Sequence, residues 1–235
     1  MTPEAHGRYR TCVGKLIHLS HHRSDIQHAV HRLCKKVQLP LAGDWIRLKK
    51  LARYLAGTRN VYLKLSPVAG RPVVEVYTDA DWADKKSNRR STSGGALMYY
   101  GCPILTWSRG QASFALSSAE SELYAIGTGA VEALGFCQLL KELGVNVVPT
   151  LFTDAQSALD ICKKRGPGRM KHVELKLWAV QEWQKEGKIK LRKINTSMNP
   201  SDMLTKVMDM KKLTRFGRLL ALRGDIFDNE AHDHE

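Results

Sequence analysis

The sequence predicts an α/β fold in which a sheet of five strands is flanked by helices and preceded by a small helical segment. Two observations predict it. Apolar residues recur at helical spacing from about residue 11 to 57, and beyond residue 70 short Val-rich alternating runs are interleaved with helical ones. The turn-rich stretch VYLKLSPVAGRP separates the two regions. The expected organisation is a helical segment over 1–70, an α/β domain over 71–210 and a polar tail over 211–235.

In the first region, GKLIHLSHHRSDIQHAVHRLCKKV reads as helical, with Ser24 and Asp25 as a cap before IQHAVHRL. Pro40 breaks the pattern. Asp44 is expected to cap a further helix, WIRLKKLARYLAG, which Gly57 closes. Its apolar stripe is Ile46, Leu48, Leu51 and Leu55, and Arg47, Lys49, Lys50 and Arg53 make the remainder basic. In the second region VVEVYTD (73–79) alternates as a strand does. GGALMYYG and PILTWSR complete a meander across Gly101-Cys102-Pro103. A long helix is expected from about Ser117 to Leu143, closed by Gly144. Then come a strand in VVPTLFTD (147–154), a helix in AQSALDICKK, a turn in RGPGR, a helix in VELKLWAVQEWQKEG and a strand in KIKLRKI. Asn199 as cap and Pro200 at the first helical position open a last helix, SDMLTKVM.

Charge narrows the function classes. The chain carries 37 Lys/Arg against 23 Asp/Glu, a formal +14. Residues 1–70 hold 13 of these bases and 3 of the acids. Such a balance suits an anionic partner, nucleic acid above all, held by salt-sensitive phosphate contacts. The five cysteines are odd in number and form no CxxC pair, so reduced thiols are expected rather than a disulfide framework or a zinc ribbon. No apolar run approaches the roughly 18 residues of a membrane span, and MTPEAHGRYR has no signal-peptide core. No membrane partner is expected, and the expected location is intracellular, cytoplasmic or nuclear.

Four acids stand where chemistry could use them. Asp79 ends the first strand (VYTDAD), Asp154 ends the fourth (LFTDAQ), and Asp202 falls in the first turn of the last helix, where the helix dipole favours an anion. The long helix offers Glu120 and Glu122. Its apolar stripe is Leu123, Ile126, Ala130, Ala133, Cys137 and Leu140. Glu122 lies roughly 50° from the centre of that stripe and Glu120 roughly 110° away. Glu122 is therefore the expected fourth acid, with Glu120 turned to solvent. Converging carboxylates of this kind suit two divalent ions, roughly 3.5–4 Å apart, in a phosphoryl-transfer site. Each acid alone could be only a strand terminator, a cap or a dipole partner.

The motifs GKLIHLS…RSDIQHAV, DWIRLKKLARYLAGT, YTDADWAD, RRSTSGG, LSSAESELYA, TDAQSAL, RMKHVEL and NPSDMLTK run in order over about residues 10–208. In this the chain resembles the Ty1/copia-type retrotransposon Pol polyprotein, in its end of reverse transcriptase plus RNase H domain. The resemblance implies an RNase H-like fold with a mixed five-stranded sheet. It implies a ribonuclease H hydrolysing the RNA strand of RNA–DNA hybrids by two-metal-ion catalysis. Asp79, Glu122, Asp154 and Asp202 would be catalytic residues and ligands of two Mg²⁺ ions, or of Mn²⁺. It further implies a thumb or connection role for the basic helices, and the polymerase part of a reverse transcriptase as a partner. The chain has no YxDD motif, so no polymerase activity is expected from it alone, and KLRKINTSMNPSD lacks the His that many RNase H enzymes carry before the last Asp. The alternative is a catalytically silent nucleic-acid-binding remnant of a truncated copia-type polyprotein.

Candidate substrate contacts are Ser117 and Ser118 at the helix start, Gln156 beside Asp154, and Arg89 and Arg90, which with Ser91 and Thr92 form a basic, hydroxyl-rich loop. Trp82 and Trp107 are read as core residues. The histidines at 18, 21, 22, 28 and 31 have partly helical spacing but lack the cysteine partners a zinc site would favour.

Overall fold

The computed structural model describes residues 2–82, 90–163 and 175–228, with side chains of the helix at 175 described from residue 178. In chain order the elements are α1 (Pro3–Ser20), α2 (Ser24–Cys34), α3 (Ala42–Gly57), β1 (Tyr62–Leu63), β2 (Val74–Asp81), β3 (Thr92–Tyr99), β4 (Cys102–Gly110) and α4 (Ser118–Glu142). There follow β5 (Thr150–Thr153), α5 (Gln156–Lys163), α6 (Leu175–Lys185), β6 (Lys190–Lys193), a 3-10 turn at Pro200–Leu204, α7 (Met210–Leu219) and β7 (Leu222–Arg223). They form two compact units, residues 65–205 and residues 1–64 with 206–235.

The larger unit is built on a five-stranded sheet in the order β4-β3-β2-β5-β6. Strands β2, β3 and β4 form the expected antiparallel meander, and β5 and β6 add parallel strands on the other side of β2. This mixed sheet flanked by helices is the RNase H-like arrangement. The core lies between the sheet and α4, α5 and α6, around Val76, Leu97, Leu123, Ile126, Leu151, Ala158 and Val180. Two glycines set its tightest approaches. A Cβ on Gly129 of α4 would come within 2.6 Å of the Thr78 side chain, and one on Gly95 within 2.1 Å of the Trp107 ring. Only a residue without a side chain lets helix and ring lie that close to the strands. Against the expectation that no apolar run approaches the length of a span, α4 is long and apolar enough to cross a membrane by length and composition alone. Here the sheet takes up its apolar face.

The smaller unit packs Tyr9, Val13, Ile26, Val30, Leu33, Leu48 and Leu51 together. Beside this core Arg23 forms a bidentate pair with Asp25 at 2.9 and 2.8 Å and donates to the Thr58 carbonyl and hydroxyl, while the Tyr54 hydroxyl donates to Asp25. Burial opposes the Arg23 charge, but Asp25 beside it outweighs that and raises its pKa. Burial, then the Asp25 charge, raises that of Tyr54. The expected caps are therefore used differently. Asp25 serves the ion pair, and Arg23 takes the cap position of α2 without a side-chain capping bond. Asp44 lies inside α3 and accepts from the Leu41 N–H at 3.0 Å. Ile46 is exposed, leaving Leu48 and Leu51 as the buried stripe.

A polar tail from residue 211 is not what the chain makes. Residues 210–228 form α7 and β7, and β7 pairs with β1 through Tyr62↔Arg223 and Leu63↔Leu222. Leu220, Leu222 and Phe227 are fully buried. Asp225 accepts from the Asn60 backbone and side-chain N–H groups at 2.7 and 3.2 Å. Three apolar residues thus anchor a segment whose overall composition is polar.

All five cysteines are free thiols. Burial raises the Cys162 thiol to about 12 and the Cys137 thiol to about 11. The reactive species is the thiolate, and Cys12 is exposed. An aromatic disulfide reagent at pH 8 should therefore titrate Cys12 first in the native protein and reach Cys162 only after denaturant is added. Fast labelling of Cys162 in the native state would contradict this packing.

Candidate active site

Strand register explains why two acids meet. β2 and β5 run parallel, with Tyr77 opposite Phe152 and their rings stacked at 5.1 Å. Two residues on, the chain reaches Asp79 in β2 and Asp154 just past β5. Parallel neighbours present their carboxyl ends on the same edge, where sites assemble. Glu122 enters from the start of the second turn of α4. Carboxylate oxygens of Asp79, Glu122 and Asp154 all lie within 4.8 Å of one another, the one such grouping of ligand side chains among the described residues. Asp79 is 1% exposed and Glu122 9%. The histidines at 18, 21, 22, 28 and 31 form no such group, and the C-terminal HDHE lies outside the described residues.

Asp202 lies outside that set of three. It sits in the 3-10 turn Pro200–Leu204, half-buried, rather than at the head of a regular helix as the sequence suggested. That turn is nevertheless pinned to the site. Asn199 caps it, accepting from Ser201 N and Oγ, and donates from Nδ2 to the Thr78 carbonyl at 3.0 Å. Thr205 donates its hydroxyl to Asp79, and the same oxygen lies 3.1 Å from the Asp202 carbonyl oxygen. Gly94 stands opposite Asp79 in the β2–β3 register. A Cβ there would lie 2.7 Å from Thr205 and 2.8 Å from Leu204. The glycine is what allows the turn to lie across the sheet.

The start of α4 is fixed as closely. Gln111 donates from Nε2 to Ser93 Oγ and to the Ser121 carbonyl, both at 2.8 Å, tying β3 to the residue before Glu122. Ser117 caps the helix by accepting from Glu120 N at 3.2 Å. Glu120 is buried, not solvent-facing as the helical projection implied. Its carboxylate accepts from Leu116 N at 2.7 Å and from the Tyr124 hydroxyl at 3.3 Å. At a helix N-terminus free backbone N–H groups draw an acid inward, whatever its angle on the wheel.

The remaining candidates divide. Ser118 is exposed at the helix start. Gln156 is exposed but bonds Asp160 one turn along its own helix, at 2.8 Å. Arg90 is exposed, whereas Ser91 and Thr92 are fully buried where β3 begins, and so are not loop hydroxyls open to a backbone. Arg89 lies outside the described residues. Trp107 is buried as expected, but Trp82 is 46% exposed. Asn199 was legible only as a cap. Thr205 and Gln111 carried no local signal, because their partners are remote in sequence.

The donor set is all carboxylate oxygen, which suits a hard divalent cation such as Mg²⁺ and not a thiolate-seeking metal. Asn199→Ala would strand the buried Thr78 carbonyl and Ser201 hydroxyl. It should destabilise the protein by about 1–3 kcal/mol in urea denaturation, whereas an unchanged midpoint would mean that the pin carries no load.

No family model matches the sequence. Among curated proteins, the retrovirus-related Pol polyprotein from transposon TNT 1-94 of Nicotiana tabacum is 31% identical over 220 residues, covering 92% of this chain and 16% of that protein. The Pol polyprotein from transposon RE2 of Arabidopsis thaliana is 30% identical over 220 residues, 91% of this chain and 15% of its own length. The chain thus spans about a sixth of the length of these relatives. Among solved structures, LC11-RNase H1 in complex with RNA/DNA hybrid covers 56% of this chain and 93% of its own, at 16% identity and TM-score 0.38. Over nine-tenths of its length this chain is thus about 30% identical to a part of the retrovirus-related Pol polyproteins from copia-type transposons.

Proposed function

We propose that this chain is a ribonuclease H that hydrolyses the RNA strand of RNA–DNA hybrids. The observation that carries the reading is the convergence of Asp79, Glu122 and Asp154 at the carboxyl ends of adjacent strands in an RNase H-like sheet. Kinship with Pol polyproteins supports it. In this reading the three carboxylates, with Asp202 from the pinned turn, hold two Mg²⁺ ions, for which Mn²⁺ could substitute. When bound, such ions activate water and neutralise charge on a transferring phosphoryl group. The chain's own task is orientation. Thr205 holds one Asp79 oxygen through its hydroxyl, and Asn199 keeps the turn carrying Asp202 against β2. Gln111 fixes the start of the helix from which Glu122 projects.

Ser117 and Ser118 at the α4 N-terminus, Gln156, Arg89 and Arg90 would meet the hybrid, chosen by its shape and RNA 2′-hydroxyls rather than its base sequence. The basic helices of residues 1–64 would add phosphate contacts in the manner of a reverse-transcriptase thumb or connection, and the polymerase part of such an enzyme would be the natural partner.

Incubating the purified chain with end-labelled RNA–DNA hybrid and Mg²⁺ tests this, with single-stranded RNA as control. Cleavage should be confined to the hybrid and fall at least about a hundredfold in Asp154→Asn. Salt-sensitive binding without cleavage would overturn the enzymatic reading and leave a nucleic-acid-binding protein.

A further inference from the structure

Three large apolar side chains stand exposed on the segments that lead from β2 and into α4: Trp82 at 46%, Phe114 at 55% and Leu116 at 70%. Trp82 directly follows β2, three residues past Asp79. Phe114 and Leu116 belong to the segment that leads into α4, a few residues before Glu122. The two segments are stitched together. Trp82 Nε1 donates to the Ala115 carbonyl at 3.1 Å, Ala115 itself is buried, and Leu116 N is held by Glu120. The Arg90 guanidinium lies over the Phe114 ring, 5.5 Å from its centre.

The backbone on both sides of this patch is therefore fixed, while about half of each aromatic side chain remains exposed. Exposed aromatic rings with a cation stacked on one of them form a poor metal site and a good nucleotide site. The rings pack on sugars and unpaired bases, and the guanidinium meets phosphate. Position and charge together choose the occupant, because Trp82 stands three residues past Asp79 on a chain of net charge +14.

We propose that Trp82, Phe114 and Arg90 form a binding platform for the nucleic-acid strand that runs past the carboxylates, an inference that rests on the ribonuclease H reading. The platform positions substrate and takes no part in bond breaking. Its loss therefore raises KM and spares kcat.

Steady-state cleavage of labelled hybrid by the full chain tests this with Trp82→Ala, Phe114→Ala, the conservative Trp82→Phe, and Leu139→Ala as an exposed apolar control near the far end of α4. Each platform alanine should raise KM about tenfold with kcat nearly unchanged, Trp82→Phe should restore most of the loss, and Leu139→Ala should have no effect. Phe114 is exposed enough for its alanine variant to keep the parent's melting temperature, so a misfolded Trp82→Ala would not spoil the test. An unchanged KM in Phe114→Ala, or an equal rise in Leu139→Ala, would overturn the platform while leaving the ribonuclease reading intact. Failure of the unsubstituted chain to cleave any hybrid would instead sink that reading, and the platform with it.

Discussion

Holding three like-charged carboxylates within 4.8 Å of one another is the constraint on which the rest of the larger unit depends. Water and chain entropy both favour letting such groups separate, and nothing in their mutual interaction keeps them together. The surrounding scaffold must do it. The parallel pairing of β2 and β5 places two of the acids by backbone register alone. The third needs a helix delivered at the correct height, which Gly129 permits by letting α4 lie against Thr78 and Val76.

The polar side chains around the cluster follow from the same need. A buried aspartate such as Asp79 requires a donor, and Thr205 supplies one. For that hydroxyl to reach, the turn must cross β3, and it can do so only because position 94 has no side chain. Asn199 then satisfies two obligations at once, capping the turn and bonding the carbonyl of the residue before Asp79. Gln111 does the equivalent for the head of α4. Buried polar networks of this kind are costly when half satisfied and specific when complete. Here they convert a sheet edge into a site of defined geometry.

How much of this could be read from the sequence depended on the range of the interaction. Strands β2 to β6 were legible because alternation is local, and Asp79 and Asp154 followed as acids at strand ends. Glu122 followed from helical angle. The same projection misdirected Glu120, because a wheel ignores the unsatisfied N–H groups at a helix start. Asn199 was visible as a cap but not as the partner of Thr78, 121 residues away. Phe227 was hidden in a segment dominated by polar residues, and its burial depends on Gly217 in α7, where a Cβ would lie 2.1 Å from its ring. Trp82 was taken for core on residue type alone, since nothing local reveals that the Ala115 carbonyl holds its indole at the surface.

If the three acids are assembled as a cation site and not as an incidental cluster, a divalent cation should stabilise the fold. Ligands that bind only the folded state raise its melting temperature by mass action. The direct measurement is the melting temperature of the chain across a Mg²⁺ titration, beside Asp154→Asn at matched ionic strength. The account predicts a saturable rise for the unsubstituted chain that is largely lost in the variant. A flat response, or equal shifts in both proteins, would contradict it.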